Sequence, residues 1–216
     1  AGSYTLSATA TDNLGAVTTS AAIGVSVKPG NIIVLQRGVN AYAGASDTFL
    51  DKYNRSTVRG AFNPLYLDRN NYVPLVRFAI FQSEGGPVPN GAAIQSATLA
   101  LYKGYYNDTL QLNPLLKPWV EGETTWINAS SGGPWAVGGA AGAGTDYSTT
   151  LDALVTPSWN PGWVSFDVTG RVRQWASGVG VNQGWILTQT SSSSNTKYFV
   201  SSEYTTDTTL RPKLTV

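Results

Sequence analysis

From Asn31 to Val216 the chain is a succession of short apolar runs separated by clusters of Gly, Pro, Asn and Asp. Runs of this length, rich in β-branched and aromatic residues, form strands; helices need longer stretches with a 3.6-residue period. Strands are predicted over residues 32–36, 48–50, 65–68, 75–81, 93–103 and 109–118, and again over 124–128, 163–168, 184–190, 197–201 and 212–216. Phe78 and Ile80 alternate with Arg77 and Ala79, and Leu99 and Leu101 with Thr98 and Ala100. That period of two places one face of each strand in a core. One helix is predicted, capped by Thr169, with Val172, Trp175 and Ala176 on one face and Gly178 ending it. The expected fold class is therefore all-β: a jelly-roll-type β-sandwich with one short helix.

An N-terminal β-hairpin is expected besides. Residues 3–28 hold two alternating runs around Asp12-Asn13-Leu14-Gly15, a turn signal. A lone hairpin is marginal in water. These strands therefore belong either to a domain continuing upstream or to the main body. The boundary is expected at Lys28-Pro29-Gly30, dividing residues 1–30 from a sandwich over 31–216.

Composition narrows the function. The chain has no Cys and no His. This removes disulfides, thiolate sites, the Ser-His-Asp triad and the common zinc sites together. Charged residues make up 12%, about half the usual share, and Thr, Ser, Gly, Asn and Tyr carry solubility instead. That balance is expected of a secreted, extracellular or cell-surface bacterial protein. A net charge of +1 gives no global attraction to nucleic acid or membrane. No apolar run approaches the ~20 residues of a membrane span. Without Met or a signal peptide, the sequence is expected to be a fragment or a processed product.

Several segments in fixed order carry a resemblance: GVNAYAGASDTFL at 38–50, PLVRFAIF at 74–81, AAIQSATLALY at 92–102, and WVEGETTW at 119–126. They continue with FDVTGRVRQWASG at 166–178, NQGWILT at 182–188 and FVSSEYTTDTTLRPKLTV at 199–216. Together they resemble the DNRLRE domain group, which includes carbohydrate-binding module family 96. The likeness spans residues 31–216, and residues 3–28 resemble the last hairpin of a bacterial immunoglobulin-like domain. The resemblance implies a jelly roll attached to secreted polysaccharide-degrading enzymes and surface proteins, binding carbohydrate such as alginate. The loop DKYNRSTVRGAFNPLYLDRNN departs from it, lacking the Asn-Tyr-Gly turn of many relatives.

That loop supplies the first candidate site. Lys52, Arg55, Arg59 and Arg69 lie close in sequence to Tyr53 and Tyr72. Uronate polysaccharides present a carboxylate on each sugar; Arg meets a carboxylate with two parallel hydrogen bonds, and a Tyr ring covers a sugar face. The plain alternative is a solvated loop balanced by Asp47, Asp51 and Asp68. A second candidate is the aromatic set Trp135, Tyr147, Trp159 and Trp163 in a long Gly- and Ala-rich stretch. Trp135 is the ring expected to be exposed to ligand, whereas Trp163, beside a strand, is expected in the core.

Glu121 and Glu123 share one strand face if 124–128 and its approach are extended, but adjacent carboxylates do not flank a bound sugar as glycosidases require. A Tyr base near Lys103, Tyr105 and Tyr106 has no cleft to serve. No catalytic residues are assigned. No cofactor is required. A structural Ca²⁺ would need oxygens assembled from distant segments, with Asp47 and Asp207 as its expected ligands. Arg77, Glu203 and Arg211 read as a partly buried ion network.

The expected function is a non-catalytic carbohydrate-binding module that targets a covalently linked enzyme to polysaccharide, acidic before neutral. The alternative is a structural or adhesive surface domain that binds no sugar. Expected partners are polysaccharide and covalently linked catalytic or Ig-like domains, with no nucleic acid and no membrane.

Overall fold

Two compact units, residues 1–32 and 33–216, make up the computed structural model. It describes residues 2–27, 30–69, 71–190 and 195–216. Lys28 and Pro29, where the boundary is expected, lie outside the described residues.

The N-terminal unit is a long antiparallel hairpin. Strands β1 (Gly2–Leu6) and β4 (Ile23–Val27) pair throughout, and β2 (Thr9–Thr11) pairs with β3 (Val17–Thr19). Asp12 forms the turn: its Oδ1 accepts the Leu14 and Ala16 backbone N–H groups, and Gly15 takes a positive φ of 87° that only glycine adopts freely.

The second unit is an all-β sandwich. Its strands are β5 (Val34–Gln36), β6 (Ala45–Asp51), β7 (Leu65–Leu67), β8 (Tyr72–Phe78), β9 (Thr98–Lys103) and β10 (Leu110–Pro114). There follow β11 (Asn128–Ser130), β12 (Gly133–Pro134), β13 (Ala153–Val155), β14 (Gly162–Asp167), β15 (Trp185–Gln189), β16 (Lys197–Phe199) and β17 (Lys213–Thr215). One sheet has the order β13-β10-β15-β8-β6. The other runs β5-β17-β9-β16-β7, with β14 also on β9. Predicted strand 124–128 is not formed; residues 119–127 turn, and Glu121 and Glu123 share no strand face.

The period of two fills the space between the sheets. Phe49, Val76, Phe78, Leu112, Trp185 and Leu187 from one sheet meet Leu65, Leu99, Leu101, Phe166, Phe199 and Leu214 from the other. The helix α1 (Thr169–Ala176) closes one end, burying Val172 and Trp175, whose ring lies 4.9 Å from that of Trp185. Thr169 Oγ1 accepts the Ala97 N–H instead of capping its own helix.

A second core lies on the opposite face of the five-stranded sheet. Leu50, Val73, Leu75 and Ile186 point outward there and are covered by Leu115, Trp119, Trp126, Ala129, Trp135 and Ala140. The covering segment between β10 and β13 is thus a packed layer. Asp146, fully buried, is its keystone: Oδ1 accepts the Ala136 N–H, and Oδ2 those of Val137 and Gly142. Three donors on one carboxylate satisfy backbone groups that lie outside the short β11–β12 pair.

Candidate functional site

The covering layer stops short of the full sheet and leaves a groove of about 460 Å³ on its outer face. The floor comes from three adjacent strands: Val73 of β8, Ile186 and Thr188 of β15, and Gln111 and Asn113 of β10. These side chains share the face because Gln111 pairs with Thr188 and Asn113 with Ile186 across the sheet. One wall is Trp126 with residues 138–141, and Tyr147, Thr149 and Leu151 form another.

Arg69 lines this groove from the turn between β7 and β8. Lys52 is held beside that turn by its N–H bond to the Asn71 carbonyl at 2.9 Å. Its Nζ lies 6.0 Å from the Trp126 ring centre. Arg55 reaches the same wall: its Nη2 lies 3.5 Å from where a Gly138 Cβ would project, as does Trp126 Nε1 at 2.8 Å. Lys52, Arg55 and Arg69 are exposed, and among the described residues none of them makes an ion pair.

The other residues of the basic loop belong to a separate cluster. Arg59 pairs with Asp51 at 2.7 Å and lies over the Phe49 and Phe62 rings. Tyr72 packs on Phe49, Tyr66 and Tyr53, with centroids 5.7, 5.6 and 5.9 Å away. Tyr53 is exposed above this stack. The expectation of one continuous basic surface thus divides into a groove set and a packing set.

The expectation for the tryptophans is corrected. Trp135 is 4% exposed, and its Nε1 donates to the Thr125 carbonyl at 3.0 Å. An indole with its N–H satisfied on the inner side of the covering layer is core, whatever glycines flank it. Trp163 is 37% exposed instead, with Lys213 Nζ 4.0 Å from its ring centre. Trp126, which sequence reasoning overlooked, is the indole at the groove wall. Tyr106 is buried, and burial pushes its phenol far above the ordinary range.

Acidic residues meet at the β6 edge of the sandwich. Carboxylate oxygens of Asp47, Glu121 and Glu203 all lie within 4.8 Å of one another. Asp47 is completely buried; its Oδ2 accepts the Ser202 N–H at 2.9 Å, and its own N–H donates to Glu121 Oε1 at 2.6 Å. Arg37 Nη1 donates to Glu203 Oε1, and Nη2 is 3.9 Å from Glu121 Oε2. The expected network of Arg77, Glu203 and Arg211 does not form among the described residues: Glu203 pairs with Arg37, and Arg211 donates to the Tyr204 and Arg37 carbonyls. Burial first, then the neighbouring Glu203 and Glu121, push the Asp47 carboxyl well above its ordinary value. Asp207, expected to share a metal with Asp47, is elsewhere: its Oδ1 takes the Thr209 N–H and hydroxyl at the start of a short 3₁₀ turn. Glu123 is also apart, accepting the Ser131 N–H.

Compared with protein-family models and with curated proteins, the chain matches none.

Proposed function

We propose that this chain is a non-catalytic carbohydrate-binding module and that an acidic polysaccharide lies in the groove on the outer face of the five-stranded sheet. The observation that carries this reading is Arg69 in the lining of a groove floored by Gln111, Asn113 and Thr188, with Lys52 and Arg55 beside its Trp126–Gly138 wall. Unpaired cations beside amide and hydroxyl groups suit a chain that alternates carboxylates with hydroxyls. Asn113 donates to the Ser148 carbonyl through Nδ2, which leaves its amide oxygen as the acceptor it can offer a sugar hydroxyl. The Tyr147 ring and the accessible edge of the largely buried Trp126 ring supply apolar surface for sugar C–H faces. Binding would hold a linked catalytic domain on its substrate, raising its effective concentration without chemistry here.

Affinity electrophoresis through gels containing alginate, pectin, xylan, laminarin or chitosan tests this. The expected result is retardation by alginate or pectin, diminished in R69A and in the K52A/R55A double variant. A folded protein retarded by none of the gels overturns the reading in favour of a structural or adhesive domain.

A further inference from the structure

We infer that Asp47, Glu121 and Glu203 form a calcium site at the β6 edge of the sandwich. This goes beyond the glycan groove and does not depend on it. Each carboxylate has one oxygen committed to the protein: Asp47 Oδ2 to the Ser202 N–H, Glu121 Oε1 to the Asp47 N–H, and Glu203 Oε1 to Arg37 and the Ser202 hydroxyl. The second oxygen of Asp47, Oδ1, is enclosed and has no hydrogen-bond partner among the described residues, and Glu203 Oε2 is likewise buried and unpartnered among them. An enclosed carboxylate oxygen that nothing satisfies is costly and is rare in folded proteins. A cation supplies the missing partner.

Charge and geometry select the ion. Three carboxyl groups meet one guanidinium, Arg37, an acidic excess that a divalent cation would offset. Carboxylate oxygens within 4.8 Å of one another are close enough that small side-chain adjustments bring all three to the 2.3–2.6 Å bond length of calcium. The set offers only oxygen, with neither imidazole nor thiolate, which suits a hard cation and not zinc or copper. Calcium accepts six to eight ligands in irregular arrangements, so water can complete the shell; magnesium demands a near-ideal octahedron. The Glu121 and Glu203 side chains are 22% and 18% exposed, which provides an entry path.

The three ligands come from a strand, the 119–124 turn and the residues after β16. A bound ion therefore ties together segments that otherwise meet through few regular bonds. Gly60 lies against the Glu121 backbone, with a Cβ there only 2.4 Å from the Glu121 carbonyl oxygen. The basic loop is thus seated on the same turn.

The test uses protein stripped of metal, with no glycan present. Calorimetric titration with calcium chloride is expected to show one ion per chain, and the thermal midpoint is expected to rise with calcium but far less with equimolar magnesium. E121Q and E203Q, each checked for native circular dichroism, should weaken calcium binding by about tenfold or more. Should D47N not fold, these two variants still decide the matter. Absence of binding heat and of any shift in midpoint at millimolar calcium overturns the inference, as does unchanged affinity in both glutamine variants.

Discussion

Arg59 Nη2 donates to Asp51 Oδ2 across 2.7 Å, closing the loop that begins where β6 ends. Asp51 also accepts the Tyr53 and Asn54 backbone N–H groups and the Asn54 side-chain amide. One carboxylate at the last residue of a strand thus organises the segment that carries Lys52 and Arg55.

Asp51 makes this organisation pH-dependent. Burial raises its carboxyl, but the bonds from Asn54, Arg59 and Tyr53 outweigh it and leave the group below its ordinary value. A carboxylate depressed on folding contributes stability that is complete above the unfolded value of about 3.9 and is lost as pH falls through the folded value. D51A should cost about 3 kcal/mol at neutral pH, because Arg59 loses its partner and two backbone donors lose their acceptor. Denaturant unfolding from pH 6 down to about pH 2 should show a shallower acid limb in D51A than in wild type.

The groove cations should act on binding and not on folding. R69A and K52A should leave the thermal midpoint almost unchanged, within about 0.5 kcal/mol of stability, as surface changes away from packed features do. Affinity for alginate should fall in both and weaken with added salt in wild type, since exposed charges are screened over about 8 Å at physiological ionic strength. Titration of the glycan at several salt concentrations reads both effects.

Trp135 and Trp159 should behave in opposite ways. Trp135 is 4% exposed and hydrogen-bonded, whereas Trp159 is 59% exposed. W135A should destabilise the fold by about 3–5 kcal/mol. W159A should change stability little. Chemical denaturation of the two variants side by side separates a core indole from a surface one.

Gly139 couples the groove wall to backbone conformation. Its φ is +83°, and a Cβ there would lie 2.6 Å from Trp126 Cη2. G139A should therefore cost about 1–3 kcal/mol and push Trp126 from its seat. Loss of alginate retardation with a blue- or red-shifted tryptophan emission would register that displacement. An unaltered spectrum with full binding would mean that the wall is not needed.

The strands were legible wherever alternation was strict: Leu99, Leu101, Phe78 and Leu214 all point into the main core. The β6 strand was read as three residues and spans Ala45–Asp51, because Asp47 and Asp51 look like turn formers and are in fact buried within a strand. Trp135 misled because its glycine-rich flanks suggest exposure, while the Thr125 carbonyl that receives its N–H is brought near only by tertiary packing. That Asp47 meets Glu121 and Glu203 was not legible. They reach it through long-range contacts that no local spacing records. Lys52, Arg55 and Arg69 were found from charge and neighbourhood; their separation from Arg59 depends on which face of β6 the chain leaves.

The layer secured by Asp146 rests on the outer face of a sheet that already has a complete core on its other side. Asp146 is one tie among its turn hydrogen bonds and buried indoles, and the layer is a separate packing unit that is able to open while the two sheets stay closed. Amides of Ala136, Val137 and Gly142 would then exchange with solvent sooner than those of β8 or β15. A polysaccharide seated against Trp126 would slow this exchange, so occupancy of the groove could be followed as isotope retention in a segment much of which never touches the sugar.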